Sequence, residues 1–438
     1  MKPYLALLLL STTIGAISTY LHLPYNPPPL GNFGLMYTDI VFGVFYPRFA
    51  STHESQLKLW YSADKLGPLL EGKPVCPAPY VDYMFEYPPL IGLLWYFTTC
   101  SSISAVLGDS GIGPATQSAL RRIAELHYLL NALLLTMSLL ASTYFMYRLG
   151  VAVDRELGIA RTAMWLILPS TVLYAIYNWD VICVALALGA LIAFRRGRYF
   201  TSGALLGLSI ATKLLTVSIA YTLFISLLAM KFKKDVKLRV LISFLAGLVL
   251  FGSVPYLALL LLSPRGFLDF LVHHSTWYCE NCLYLVVVHD IGDQLHRFLA
   301  MTSISTLAIA LAFVTIAKSC ANGVLIYRLS AISILGVVSL NYVFTPQMVL
   351  LFSPLVLIFF SKVSRVIYAV ADAMNFSIMF FFFSDAELRY YFRKMGLPVE
   401  VTFSPWTIDS PIQWFAAVRN FLLIVILLTE LLAILRSR

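Results

Sequence analysis

The amino-acid sequence predicts an all-α polytopic membrane protein, and three observations carry that prediction. Hydrophobic types make up 60% of the 438 residues and charged types only 12%, half of the roughly 25% usual in soluble globular chains. Mean hydropathy is +0.82. The apolar residues are gathered into runs approaching the ~20 residues that a membrane-spanning helix needs. Such a composition does not suit a water-soluble enzyme, a disordered chain or a DNA-binding module. Membrane lipids are therefore expected partners and nucleic acid is not.

Apolar runs fall at 3–21, 123–147, 160–177, 180–194, 200–213, 214–229, 238–262, 298–317, 323–340, 347–361, 366–384 and 412–435, which predicts about 12 transmembrane helices. The first run carries no small-residue cleavage site before the polar segment and reads as a retained span; a cleaved signal peptide is the alternative. The runs at 200–213 and 214–229 are short and are separated by Lys213. They read as a hairpin reaching part of the way across, where irregular backbone is tolerated if it lines a cavity.

One further stretch, Pro88 to Leu107, is placed by charge. If it spans, Arg148, Arg155, Arg161 and the Arg195-Arg196-Gly197-Arg198 cluster fall outside; if it only dips into the outer leaflet, they fall on the cytosolic side, as basic loops prefer. The dipping arrangement is adopted. It puts both termini in the cytosol together with Lys231, Lys233, Lys234, Lys237, Lys318, Lys362 and Arg438, and leaves Arg121, Arg122, Arg389, Arg393 and Lys394 outside as exceptions. The net charge of +9 then reports orientation.

With this topology three outer loops are long, at 22–122, 263–297 and 385–411, and the inner ones are short. A catalyst working on the non-cytosolic face needs such an imbalance, because shaped, wettable loops carry chemistry. The chain divides into a module at 1–262 with the first outer loop and a module at 263–438 with the other two. Two similar halves with matching broken helices would point to a secondary transporter or a lipid-carrier flippase. No such halves are seen, and the transporter stands as the alternative reading.

Ionisable groups at the membrane rim are costly and so mark candidate function. Asp39 sits among Phe33, Tyr37, Phe42, Phe45 and Tyr46; partly desolvated by rings, its pKa would rise toward that of a general base. A helix N-cap or a solvated loop acid is the alternative. Asp82 and Glu86 share the first loop, and in Glu86-Tyr87-Pro88-Pro89 the two prolines fix the backbone where an apolar helix begins. Asn178-Trp179-Asp180 forms a polar turn between apolar runs. Lys213 is either half of an ion pair with Asp180 or a cationic seat for a phosphate, and the two roles can coexist. The middle loop offers His273, His274 and Cys279-Glu280-Asn281-Cys282. One Cys-x2-Cys is a weak zinc signal, and a disulfide or free thiols are the other readings. His274 and Glu280 are expected to face the same cavity as Lys213.

The ordered series Tyr37-Thr38-Asp39-Ile40, Phe45, Pro79-Tyr80, Glu86-Tyr87-Pro88-Pro89-Leu90, Asn178-Trp179-Asp180, Arg195-Arg196-Gly197-Arg198, Gly203 to Leu208, Ala211-Thr212-Lys213 and Pro346-Gln347 resembles GT-C glycosyltransferases. It is similar to the prokaryotic polyprenyl-phosphate-mannose-dependent mannosyltransferases and to the first mannosyltransferase of GPI-anchor synthesis. The resemblance runs through most of residues 30 to 355. It implies a GT-C fold whose large first outer loop carries membrane-dipping helices, in a plasma membrane if prokaryotic or an endoplasmic reticulum if eukaryotic, with the active site on the outer or luminal face. It implies an inverting transfer of a hexose, mannose first, from a polyprenyl (dolichyl) monophosphate donor to a glycan or glycolipid acceptor. Asp39 takes the catalytic place. Lys213, His273 and His274 take the donor phosphate, and Tyr37, Glu86, Tyr87, Asn178, Asp180, Glu280 and Gln347 line the substrate cavity. Relatives often carry an arginine near the middle-loop histidine; here Trp277 and Tyr278 stand there. A monophosphate leaving group requires no metal, although use of Mg2+ or Mn2+ stays open, as does an accessory membrane subunit.

Overall fold

The computed structural model describes residues 3–24, 35–50, 58–62, 64–108, 117–318 and 323–436. Phe33 and Arg438 lie outside them. The described residues form helices joined by turns, with isolated bridges at Trp60 and Tyr83, Pro79 and Tyr83, and Glu280 and Val343. Among them eight helices are long and apolar enough to cross a membrane. The protein is an α-helical polytopic membrane protein.

Every apolar run in the sequence is helical, but not every one reaches spanning length. The run at 160–177 is broken at Leu168, where Pro169 starts a new short helix, Pro169–Tyr174, after Arg155–Ile167. The run at 347–361 becomes a tight turn of helix, Pro346–Leu351, followed by Ser353–Phe359, with Pro354 near the junction. Proline cannot donate to the preceding turn, so each of these runs folds as two pieces. Asp180–Arg195, Tyr199–Thr212 and Gly323–Ser339 are likewise shorter. Pro89–Leu107, placed as a dipping segment from charge, is one of the eight long helices.

Its packing sets it apart from the other long helices. The Gln117–Val151 helix meets Pro3–Leu21 along its middle: Tyr128 donates to the Thr19 carbonyl, Thr136 lies against Gly15 and Thr143 donates to Ser11. Pro89–Leu107 instead meets the earlier turns of that helix. Thr99 pairs with His127 and Asn131 donates to Thr98. The middle of the segment is therefore level with the end of Pro3–Leu21, and it also packs on Tyr199–Thr212 and Leu238–Leu262.

The Asp180–Arg195 helix is buried almost along its whole length, and it packs against Gln117–Val151 and Tyr199–Thr212. Leu238–Leu262 is the opposite case, apolar all round and with few buried residues, as a lipid-facing helix must be. It holds Tyr199–Thr212 at close range through small residues. A Cβ on Gly203 would run into the Phe244 carbonyl, and one on Gly247 into the Phe200 carbonyl. Small residues let helix backbones approach where there is no hydrophobic force between helices in lipid. Gly203→Ala is expected to lower stability by about 1–3 kcal/mol; an unfolding midpoint equal to wild type in detergent would show that the pair separates at no cost.

The expected hairpin is only partly formed. Tyr199–Thr212 and Val217–Phe232 meet near their bend, and beyond it the second helix packs on Gly323–Ser339 and Leu295–Ala317. The bend itself is as expected irregular, with Lys213 extended (φ −154°, ψ 115°) before a short 3-10 turn. Of the charges left as topological exceptions, Arg389 is fully buried between Asp385 and Asp409, Arg121 pairs with Glu125, and Lys394 lies over the Tyr390 ring.

Candidate active site

One end of the bundle opens into a cavity of about 690 Å³. Its wall contains Tyr37, Asp39, Glu86, Tyr87, Asn178, Lys213, His273, His274, Glu280 and Gln347; Asp180 stands directly behind, joined to Lys213. Residues from both sides of position 262 contribute to it.

Asp39 begins a π-helix, Asp39–Phe45, a wide turn that is often found at functional sites. The N-cap role falls to Thr38, whose hydroxyl accepts from the Ile40 N–H and donates to the Tyr177 carbonyl at 2.6 Å. Asp39 is thus free of capping. Three donors from three separate elements converge on its Oδ2: Tyr87 Oη at 3.2 Å, Asn178 Nδ2 at 3.4 Å and Gln347 Nε2 at 3.3 Å. Oδ1 takes no hydrogen bond among the described residues. Burial, the largest cause, together with the Glu280 charge, pushes the Asp39 carboxyl up to about 7, against the favourable effects of Lys213, Asn178 and Tyr87. Half ionised near neutrality and anchored through one oxygen, it has the form of a general base. Its rings are partly those expected: Tyr37 stacks on Phe42 and Phe42 meets Tyr46, whereas Phe45 turns away to stack on His127.

Lys213 Nζ lies 2.9 Å from Asp180 Oδ1. Asp180 is in the first turn of its helix, where a carboxylate is favoured, and Asn178 Oδ1 accepts its N–H. Asp180 Oδ2 is buried without a partner among the described residues. An ammonium has three N–H donors, so the pair leaves Lys213 able to serve an anion in the cavity. Glu86 is held by the buried Arg48, which also donates to Val44 and Met84 carbonyls. Its charge is committed to that arginine.

On the facing wall Glu280 accepts from Trp277 Nε1 at 2.8 Å and is tied by backbone bonds to Tyr342 and Phe344. Burial raises its pKa, against the Trp277 hydrogen bond and the charges of Lys213 and Arg419. His274 Nδ1 lies 2.9 Å from the Phe270 carbonyl. A carbonyl only accepts, so Nδ1 carries the proton and a neutral ring leaves Nε2 as an acceptor. Burial lowers His274, and it lowers His273 to about 4 with help from its neighbour His274. Both rings are neutral at pH 7, and the standing cation of the cavity wall is Lys213.

Three features escape sequence inspection. Arg419, fully buried in the last helix, donates to the Asn281 carbonyl at 2.8 Å and to Asn375, and lies 3.6 Å over the Phe344 ring. With Asn420 and Gln413 it fixes Asn281, whose φ is +50°, and so fixes the adjacent Glu280. A charge inside an apolar run was the available signal. Arg48 had no such signal. Trp406 and Phe383 enter the cavity wall from the third long loop and the helix end before it.

Cys279 and Cys282 form a disulfide, with Cys282 Sγ 3.8 Å from His296 Nδ1. These three side chains are the group among the described residues with metal-ligand proximity, and here both sulfurs are taken by each other. No protein-family model and no curated protein matches the chain.

Proposed function

We propose that the protein is an integral-membrane, inverting glycosyltransferase that moves a hexose, mannose first, from a polyprenyl monophosphate to a saccharide acceptor on the non-cytosolic face. The observation that carries this reading is the meeting of Asp39 with the Lys213–Asp180 pair on one cavity. A base and a cation sharing a water-accessible hollow suit a displacement at a sugar C1 with a phosphate leaving group.

In this reading the acceptor hydroxyl gives its proton to Asp39 Oδ1, the oxygen that the three donors leave open. The acceptor oxygen forms the new bond to C1, and the C1–O bond to phosphate breaks with its electron pair on the phosphate, inverting the configuration. Lys213 stabilises the charge that develops there, the kind of preorganised electrostatics that supplies much of an enzymatic rate. His274, neutral and with its Nδ1–H on the Phe270 carbonyl, has no N–H left for the phosphate, so that charge falls chiefly to Lys213. The Trp277–Glu280 bond keeps the facing wall polar. Pro88, just before the Pro89–Leu107 helix, lines the cavity, and the dipping arrangement puts that cavity outside the cytosol.

The test is incubation of purified protein with a panel of polyprenyl-phosphate sugars and membrane lipid extracts, with products read by mass spectrometry. A hexose-extended product together with free polyprenyl phosphate is expected. Donors left intact across the panel would overturn the assignment.

A further inference from the structure

The third long loop has no sequence motif, yet it is held with unusual care. Its first part is a helix, Asp385–Lys394, and residues 395–410 are irregular. Arg389 lies wholly buried between the two. It donates to Asp385 Oδ2 at 2.9 Å, to Asp409 Oδ2 at 2.6 Å, to the Ser404 carbonyl at 3.0 Å and to Thr407 Oγ1 at 2.9 Å. Asp385 in turn accepts from Ser410 Oγ and from the Ser404 N–H. A buried ion cluster is weak evidence for stability because desolvation offsets the attraction; what it does supply here is a fixed geometry for residues 404–407.

Trp406 is at the centre of that fixed segment, and it lines the cavity together with Phe382 and Phe383. The rings form a continuous chain of contacts, edge to face at its first two steps. Trp406 lies 5.5 Å from Phe382, Phe382 lies 5.2 Å from Phe383, and Phe383 lies 5.8 Å from Tyr37, two residues before Asp39. Trp406 is 36% exposed and Phe383 45%, so part of each ring is accessible, and the Trp406 indole N–H has no hydrogen bond among the described residues. Flat apolar faces beside free polar groups suit an amphipathic ligand with an apolar face and hydroxyl edges. A pyranose ring has both. Phe403, itself exposed, backs the same rings from outside the cavity wall, 6.2 Å from both Phe382 and Trp406.

We infer that Trp406 and Phe383 form the acceptor subsite, a stacking shelf that holds a sugar ring of the acceptor with one hydroxyl toward Asp39, opposite the donor phosphate at Lys213. This rests on the transferase reading. The sugar could reach the shelf on a membrane anchor or as part of a water-borne glycan, and the shared chemistry is the saccharide ring.

The experiment uses the full chain in nanodiscs with a polyprenyl-phosphate hexose that wild type turns over, and octyl and methyl mannosides as acceptor probes. Trp406→Ala is expected to raise the acceptor KM about tenfold, the size of one good ring contact, and to change the donor KM by much less. Trp406→Tyr should recover most of the loss. Preference for the octyl over the methyl glycoside assigns the ring to a membrane-anchored acceptor, and equal use assigns it to a water-borne one. An unchanged acceptor KM in Trp406→Ala, or a change confined to the donor KM, overturns the shelf while leaving the transferase reading intact. Wild type with neither hydrolysis nor transfer removes the transferase reading. The shelf is then read directly by saturation-transfer NMR of octyl mannoside without donor, where loss of signal in Trp406→Ala supports it and an equal signal overturns it.

Discussion

Asp39→Asn is expected to lower hexose transfer by about 100- to 10,000-fold, the usual contribution of a general base, without loss of folded protein. The substitution keeps an oxygen for Tyr87, Asn178 and Gln347 to donate to and removes only the site that takes the proton. The sign of its pH effects is fixed by the direction of the shift. A base works ionised, and the Asp39 carboxyl is pushed up to about 7, so wild-type transfer should rise as pH passes through about 7. Stability runs the other way. A carboxyl held above its unfolded value binds more protons folded than unfolded between about 4 and 7, so its ionisation destabilises the fold as pH rises through that window. Asp39→Asn should therefore be the more stable protein above pH 7 and the inactive one. Glu280→Gln should shift the activity midpoint to lower pH, because the Glu280 charge contributes to the raised value. Near-full transfer by a correctly inserted Asp39→Asn protein would end the proposed role.

Lys213→Met should abolish donor turnover and also destabilise the fold. It leaves Asp180, almost wholly buried, as an unpaired charge, and breaking a buried pair costs roughly 3–5 kcal/mol. That one variant cannot separate a structural lysine from a phosphate-binding one. The double variant Asp180→Asn with Lys213→Met can. It removes both charges together, so the folded protein should recover most of its stability. If Lys213 serves the donor phosphate, transfer stays lost in the double variant; if it serves only Asp180, transfer returns along with the fold. Thermal unfolding and donor turnover measured on the same four proteins give both answers, and Asp180→Asn alone should keep a working ammonium.

Much of the cavity was legible before any coordinates. Rings around Asp39, prolines before a helix, a polar turn at 178–180 and a lysine between two short apolar runs are local patterns, and each forces its residue to the end of an element. Helix ends in a membrane bundle gather at the same two levels, so residues at one level are drawn together. The less legible parts depend on which elements become neighbours. Pro89–Leu107 could be read as spanning or dipping from composition alone, and its place is given by contacts with His127, Asn131 and the helices Tyr199–Thr212 and Leu238–Leu262. The hairpin at Lys213 opens because each limb finds a different partner, the first against the glycines facing Leu238–Leu262. His273 and His274, assigned to the donor phosphate from sequence, stand as neutral rings because burial disfavours their charge.

By itself the sequence determined the solvent in which this protein folds, the helices it makes and the ends at which its scarce charges lie, because apolar run length and proline position act locally. The tertiary structure decided what those charges do. Three donors from distant segments meet on one oxygen of Asp39, Asp180 takes one face of Lys213, and Arg389 and Arg419 hold the last and the middle long loops. Such pairings join residues tens to hundreds of positions apart, and the low dielectric that gives them their strength exists only once the helices have packed around them.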